Sequence, residues 1–204
     1  MDRCYFCGAV LILLVACVFV YGVTYTGMNP TSQTIQIPAP TQCLKPTINQ
    51  TILELRIHEL INQQRIKYGY SSLHFDTRLA EIARKHSEDM AKNIYFEHVN
   101  LLGLNPTDRG YQAGYSCYKD YGLYYSNGIG ENIVQNNLYN SMNNYTHTIV
   151  YNWNTPEEIA QSTVNEWMNI SVHRHNILTS KYDREGIGVA IAADDKVYIT
   201  EDFC

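Results

Sequence analysis

The sequence predicts a domain of the α+β class, in which helices come early and an antiparallel hairpin comes last. Apolar residues recur at helical spacing in capped segments that begin near residues 51, 76 and 155. Near the C-terminus, two apolar runs at 186–192 and 196–200 flank a pair of aspartates, a pattern typical of a β-hairpin. This order of elements indicates helices packed on an antiparallel sheet.

The first helix is predicted from Thr51 and Glu54, whose spacing matches a capping box. Its apolar stripe consists of Leu53, Ile57, Leu60 and Ile61. Gly69 is expected to end the helix, because glycine adopts the left-handed conformation that closes many helices.

The second and third helices also carry recognisable first turns. Asp76 is the predicted N-cap of the second helix. Its apolar stripe consists of Leu79, Ala83, His86, Met90 and Ile94. The third helix combines Thr155 as cap, Pro156 at the first helical position and Glu158 at the third. A long segment rich in Tyr, Gly and Asn separates these helices, and we expect it to form loops.

Composition excludes two broad classes of protein. Among the 204 residues, 45% are hydrophobic and 17% are charged, which argues against wholesale disorder. The formal net charge of −5 argues against nucleic acid as a partner, because phosphate binding requires concentrated positive charge. Tyrosine outnumbers phenylalanine by 17 to five, which suggests aromatic surfaces that stay partly hydrated.

The N-terminus predicts export. Residues 8–23 are almost entirely apolar and follow a short segment with one basic residue, so 1–23 is either a cleaved signal peptide or a membrane anchor. Residues 24–50 are rich in Thr and hold four of the six prolines, which favours an extended linker. The domain at 51–204 is then expected outside the cell, secreted or attached to the membrane through 8–23.

The cysteines beyond the apolar segment predict one disulfide. Cys43, Cys117 and Cys204 would lie in an oxidising compartment, where such residues pair. We expect a Cys117–Cys204 bridge, because Cys43 lies in the extended linker.

Candidate chemistry is dispersed along the chain. Motifs for zinc peptidases, serine hydrolases, phosphate loops and dinucleotide binding are missing from the sequence. His98, Glu131 and His173 come from three separate segments and could hold a divalent metal with one open position. The alternative is three unrelated polar residues, each satisfied locally.

Several motifs occur in order along the chain: Leu60-x-Asn62-x-x-Arg65, Tyr95-Phe96-x-His98, Gly130-Glu131-Asn132, Trp167-Met168 to His173-Arg174-x-Asn176-Ile177-Leu178, and Gly186-Ile187-Gly188-Val189-Ala190. Together they resemble the CAP superfamily, which contains the cysteine-rich secretory, antigen 5 and pathogenesis-related proteins and is also called the SCP domain. The resemblance covers about residues 51–204 and is closest to prokaryotic members. It implies a three-layer α-β-α sandwich.

The resemblance also implies a cleft with two histidines and two glutamates. His98, Glu131 and His173 match three of these positions, while Ile170 stands where animal and plant members carry the second glutamate. Glu166 is a candidate substitute, because residues four apart share a helix face. Zinc is the first expectation for imidazole ligands, with other divalent cations as alternatives.

Three functions remain open at this level. The first is a binding module whose His/Glu cleft holds a metal and an extracellular peptide, glycan or lipid. The second is a metal-dependent extracellular hydrolase using His98, Glu131 and His173, with Glu131 as candidate base. The third is a structural or interaction domain displayed at the cell surface. We favour binding over catalysis, because no nucleophile or oxyanion donor stands out in the sequence.

Overall fold

The computed structural model describes residues 44–145 and 148–204. The predicted segment 1–23 and most of the predicted linker 24–50 lie outside the described residues, so the N-terminal hydrophobic helix stays a prediction. In the part of the chain that is described, every helix is too short or too polar to cross a membrane.

The central element is a sheet of four strands in the order β1-β7-β8-β4. The strands of the described chain are β1 His74–Phe75, β2 Tyr118–Asp120, β3 Tyr125–Asn127, β4 Gly130–Asn137, β5 Tyr139–Tyr145, β6 Thr148–Trp153, β7 Arg184–Ile191 and β8 Lys196–Phe203. Strand β8 pairs antiparallel with β7 and with β4, while β1 pairs parallel with the start of β7. The predicted C-terminal hairpin is therefore confirmed as the centre of the sheet.

Helices cover both faces of this sheet. They are α1 Gln50–Lys67, α2 Thr77–Asn93, α3 Pro106–Gln112, α4 Pro156–Asn169 and α5 Ser171–Ile177. Helix α2 packs on β7 and β8, and α1 packs on β7 from the opposite side together with α4, which contacts β4. Apolar side chains of β7, β8, α1 and α4 form one continuous core around buried Trp167. The arrangement is an α-β-α sandwich of three layers, as expected.

Two glycines of β7 set the spacing between the sheet and α2. A Cβ atom on Gly186 would overlap the backbone of Ala80, and one on Gly188 would overlap the backbone of Arg84. Only glycine permits this approach. It brings the side chains that follow α2 close to the sheet.

The helix caps are partly as predicted. Asp76 caps α2 and Thr155 forms a capping box with Glu158 in α4. The prediction of a capping box at Thr51 and Glu54 is wrong, because the side chain of Asn49 caps α1 by accepting from the backbone N–H of Ile52. Sequence spacing could not distinguish the two caps, since both residue types suit this position.

The Tyr- and Asn-rich segment forms strands where loops were expected. It supplies β4, which pairs along its whole length with β8, and two separate ribbons, β2–β3 and β5–β6. Strand β4 ends in asparagines. The polar composition of this segment therefore does not reveal the buried apolar residues Ile133 and Val134. The remaining ribbons present aromatic side chains rather than a core.

The predicted disulfide is confirmed. Cys117 and Cys204 are bonded, with their Cα atoms 5.5 Å apart. The bridge joins the chain just before β2 to the residue that follows β8. It therefore fixes the β2–β3 ribbon against the end of the central strand.

An ion pair closes the outer edge of β7 beyond the short strand β1. The carboxylate of Glu54 accepts from the backbone N–H of Val189 at 3.0 Å and from Nε and Nη2 of Arg84 at 2.8 and 2.6 Å. Glu54 is fully buried, and Arg84 comes from the opposite helical layer. This contact gives a backbone N–H of the otherwise unpaired strand edge a hydrogen-bond acceptor, and it joins α1 to α2 across that edge.

Replacing Glu54 with Gln should therefore destabilise the protein. The amide keeps the shape and can accept from Val189, but it leaves Arg84 without its charged partner. We expect E54Q to lower the free energy of unfolding by about 2 kcal/mol in urea denaturation. The matched control, E81Q, removes an exposed carboxylate of α2. Equal stabilities for the two variants would contradict the assigned role of the ion pair.

Candidate functional site

Glu131 is the centre of the candidate site. It lies near the start of β4, on the face of the sheet that α2 covers, and its register partner in β8 is Asp202. Its carboxylate is almost fully buried. A buried carboxylate needs charged or hydrogen-bonding partners, because it has lost its hydration.

Two residues supply those partners. His98, in the segment that follows α2, donates from Nδ1 to Oε1 of Glu131 at 2.7 Å. The Arg109 guanidinium of α3 donates to Oε2 of the same carboxylate. Both carboxylate oxygens of Glu131 are therefore engaged.

Arg109 also holds the chain that carries His98. Its guanidinium donates to the carbonyl oxygen of His98 at 2.7 Å and to that of Leu104 at 3.2 Å. Helix α3 begins with a capping box between Asn105 and Asp108, which fixes the start of the helix that carries Arg109. Arg109 thus binds both the backbone of the segment that carries His98 and the carboxylate that His98 contacts.

The hydrogen bond to Glu131 determines which nitrogen of His98 is available. Burial and the charge of Arg109 lower the pKa of His98, so the ring is neutral at neutral pH. With its proton on Nδ1, the ring leaves Nε2 unprotonated. The side chain is 49% exposed, which makes His98 an accessible electron-pair donor.

His86 lies behind the site and is fully buried. Its Nε2 donates to the carbonyl oxygen of Glu97 at 3.0 Å and lies 4.0 Å from Oε2 of Glu131. Burial, followed by the charge of Arg109, lowers its pKa to about 4. His86 is therefore a neutral packing residue that holds the segment before His98, in agreement with its place on the apolar stripe.

Asp202 is a site residue that sequence reasoning missed. It is fully buried on β8 beside Glu131. Burial raises the pKa of Glu131 to about 7 against the opposing effect of Arg109, while burial and the charge of Glu131 raise the pKa of Asp202 well above its ordinary value. Both carboxyls therefore keep a proton to higher pH than an exposed carboxyl does, and the charge of Arg109 opposes this at each of them. Side chains alternate between the two faces of a strand, and this alternation along β8 was the sequence signal that could have placed Asp202 at the site.

His173 approaches from the other side of β4. It belongs to α5, and its backbone oxygen accepts from the amide of Asn132 at 3.2 Å. Asn176 adds a hydrogen bond to the carbonyl oxygen of Glu131 at 3.3 Å. Burial lowers the pKa of His173 and the nearby His98 lowers it further. His98 and His173 thus each contact a residue of β4, which is an outer strand of the sheet.

Glu166 does not join this group through any contact of the described residues. It lies on the exposed side of α4 in a shallow groove with Gln161 and Ile170. Partial burial raises its pKa. Ile159 and Thr163 of the same helix are, in contrast, buried.

The donor set fits a metal only in part. Within 44–145 and 148–204, no three His, Cys, Asp or Glu side chains are arranged to hold an ion. Glu131 is occupied by His98 and Arg109, which leaves the two imidazoles as the donors. A carboxylate that accepts from Nδ1 of a histidine and leaves Nε2 open is, however, the usual partner of a metal-binding histidine.

A second pair of buried carboxyls lies on the opposite face of the sheet. Glu185 of β7 accepts from Nδ1 of His58 at 2.5 Å, and Glu201 of β8 accepts from the amide of Asn132 at 2.9 Å. Burial raises the pKa of Glu185 to about 7, and it raises that of Glu201 well above its ordinary value. Asn132 also donates to the backbone oxygen of His173. The carboxyl pair therefore supports the candidate site from the opposite face of the sheet.

These raised pKa values predict a pH dependence of stability. The folded state binds more protons than the unfolded state between about pH 4.5 and 7, so this contribution is complete below pH 4.5 and is lost as the pH rises through 7. E185Q removes one titrating group and should reduce that loss by about 1 to 3 kcal/mol. Urea denaturation at pH 5 and pH 8 measures it.

The exposed E88Q variant on α2 serves as control, because it keeps the buried pair intact. It should retain the pH dependence of the unaltered protein. A pH dependence in E185Q as steep as in this control would show that Glu185 does not bind the additional proton.

Comparison with known proteins agrees with this fold. Residues 58–203 match the model of the cysteine-rich secretory protein family, CAP. The uncharacterized membrane protein YlbC of Bacillus subtilis is 31% identical over 154 residues, which cover 76% of this chain and 35% of YlbC. The uncharacterized protein YkwD of the same species is 32% identical over 135 residues, 66% of this chain and 41% of YkwD. The matched part of this chain therefore covers less than half the length of either relative.

Solved structures show the same fold. One is an extracellular protein containing an SCP domain from Bacillus anthracis, with a TM-score of 0.54 and 22% identity over 76% of this chain and 40% of that one. Another is an outer surface protein of Borrelia burgdorferi, with a TM-score of 0.57 and 16% identity over 78% of this chain and 97% of that one. With its three layers, its central hairpin and a family match over most of its length, this chain belongs to the cysteine-rich secretory protein (CAP) family, and its relatives in Bacillus place it with the prokaryotic members.

Proposed function

We propose that this chain is an exported binding domain in which His98 and His173 bind a divalent metal ion, zinc first, beside an extracellular ligand. The observation that carries the proposal is the hydrogen bond from Nδ1 of His98 to Glu131, whose other oxygen is held by Arg109. Glu131 then acts as a positioning residue that presents Nε2 of His98. This assigns it a different task from the direct ligation predicted by resemblance.

The state of the imidazoles supports metal binding. Burial lowers the pKa of both His98 and His173, so both rings are neutral at neutral pH. Neutral imidazole is the form that binds zinc. A bound zinc ion would supply a positive centre for an oxygen atom of the ligand.

The surroundings of Glu131 support binding rather than hydrolysis. A general base must accept a proton from water during the reaction, whereas both oxygens of Glu131 already accept from His98 and Arg109. The metal-dependent hydrolase remains the second candidate, because the open side of His98 could still receive a polarised substrate. Activity lost in a His98→Ala/His173→Ala variant would favour that alternative.

Three observations support export. The Cys117–Cys204 disulfide suits an oxidising compartment. Residues 8–23 are apolar and precede a Pro-rich linker. The similar proteins include one named as a membrane protein, one as extracellular and one as an outer surface protein. A display role without any ligand is the third candidate, and it predicts that no small molecule or ion is bound.

Zinc calorimetry on the purified full chain tests the metal site. We expect one zinc ion to bind and the H98A/H173A double variant to lose it. E131Q should weaken binding by about 10- to 100-fold, since the orienting charge behind His98 is removed. H175A, which removes an exposed histidine two residues from His173, should bind zinc as the unaltered chain does.

The outcomes separate the roles of these residues. Equal zinc uptake by the unaltered chain and the double variant would overturn the metal site. A loss of zinc affinity in H175A as large as in the double variant would show that the metal site lies farther along α5 than proposed. Unchanged affinity in E131Q would contradict the positioning role of Glu131 while leaving the imidazoles as ligands.

A further inference from the structure

A polar cleft with tyrosine walls lies beside the Cys117–Cys204 disulfide, and we call it the tyrosine cleft. It is bounded by the start of α2 at Asp76, by β2 and its turn at Tyr118 and Tyr121, and by the start of β7 at Asp183 and Arg184. Its volume of about 620 Å³ lies within the range of small-ligand sites. Its lining residues include Cys204 and none of His98, Glu131 and His173.

The aromatic walls are held in place by stacking within the β2–β3 ribbon. The ring of Tyr118 stacks on Tyr125 with centroids 5.7 Å apart, and Tyr121 stacks on Tyr124 at 4.8 Å. Tyr118 nevertheless remains 56% exposed. An exposed ring face of this kind attracts the C–H groups on one face of a pyranose ring, because the face of an aromatic ring carries partial negative charge.

Three of the charged groups that line the cleft form ion pairs with one another. Asp183 accepts from Lys119 at 2.7 Å and from Arg184 at 2.8 Å. Asp76 accepts from the hydroxyl of Tyr115 at 2.8 Å while also capping α2. A charged ligand would have to compete with these contacts. An uncharged ligand with many hydroxyl groups can add to them, since carboxylates accept from hydroxyls and ammonium groups donate to them.

The cleft is also fixed before any ligand arrives. The disulfide ties the start of β2 to the end of β8, and the Lys119–Asp183 ion pair ties β2 to the residue before β7. The hydroxyl of Tyr121 donates to the carbonyl oxygen of Lys181 at 2.9 Å. A preformed site loses less conformational entropy on binding than a mobile one.

We propose that the tyrosine cleft is a second binding site of this protein, which holds an uncharged oligosaccharide with a sugar ring stacked on Tyr118 and its hydroxyls on the Asp183 and Lys119 pair. The aromatic walls, the ion-paired Asp183 and Lys119 and the volume all match this class of ligand. The site uses none of the residues proposed for the metal, so it stands or falls separately from the metal site.

Saturation-transfer NMR with the full chain tests this site. The probes are cellotriose, N-acetylated chitotriose, maltotriose, mannotriose and xylotriose. We expect at least one of them to receive saturation, and Y118A to weaken its binding by about tenfold. Y118F should keep binding, because it retains the ring face. Y68A serves as control, since Tyr68 is an exposed tyrosine at the end of α1.

A second variant tests the polar side of the cleft. D183N removes the carboxylate from β7's side of the cleft, and it should also weaken binding. Y118F keeps the ring stacked on Tyr125 and therefore controls for local unfolding of the ribbon. Binding should survive EDTA, which distinguishes this site from the metal site. The proposal is overturned if no probe binds, if Y118A and D183N bind as tightly as Y68A, or if only a charged uronic trisaccharide or a proline-rich peptide binds.

Discussion

The desolvated carboxylate of Glu131 is the constraint on which the candidate site depends. Its burial beside Asp202 is costly unless positive charge and hydrogen bonds replace the lost water. Arg109 and His98 supply them from two segments that would otherwise have no reason to meet. The position of α3, the path of the chain after α2 and the tautomer of His98 therefore all follow from satisfying one charge.

Strand β8 places buried carboxyl groups on both faces of the sheet. In β8, Asp202 faces the Glu131 side and Glu201 faces the side that holds Asn132 and Glu185. Buried polar groups with specific partners limit the ways in which the layers can pack, at a cost in stability.

Much of the fold was predictable from local patterns, and much of the site was not. The capped helices beginning at Asp76 and Thr155 and the C-terminal hairpin carry strong periodic signals, and the choice of Cys117 with Cys204 was correct. Strand β4 was hidden among asparagines, and Arg109 and Asp202 became site residues only through tertiary contacts. Glu54 shows the same limit, because its spacing from Thr51 matched a cap while its carboxylate is used at the edge of β7.

The central claim is that Glu131 fixes the proton of His98 on Nδ1 and leaves Nε2 open, and the tautomer of that ring tests it most directly. Long-range proton–nitrogen NMR on the full chain with ¹⁵N-labelled histidine reads the tautomer, with a His98→Gln variant to assign the resonance. The account predicts a neutral His98 ring at pH 8 with a protonated Nδ1 and an unprotonated Nε2. A ring protonated on Nε2 in the metal-free protein would contradict it.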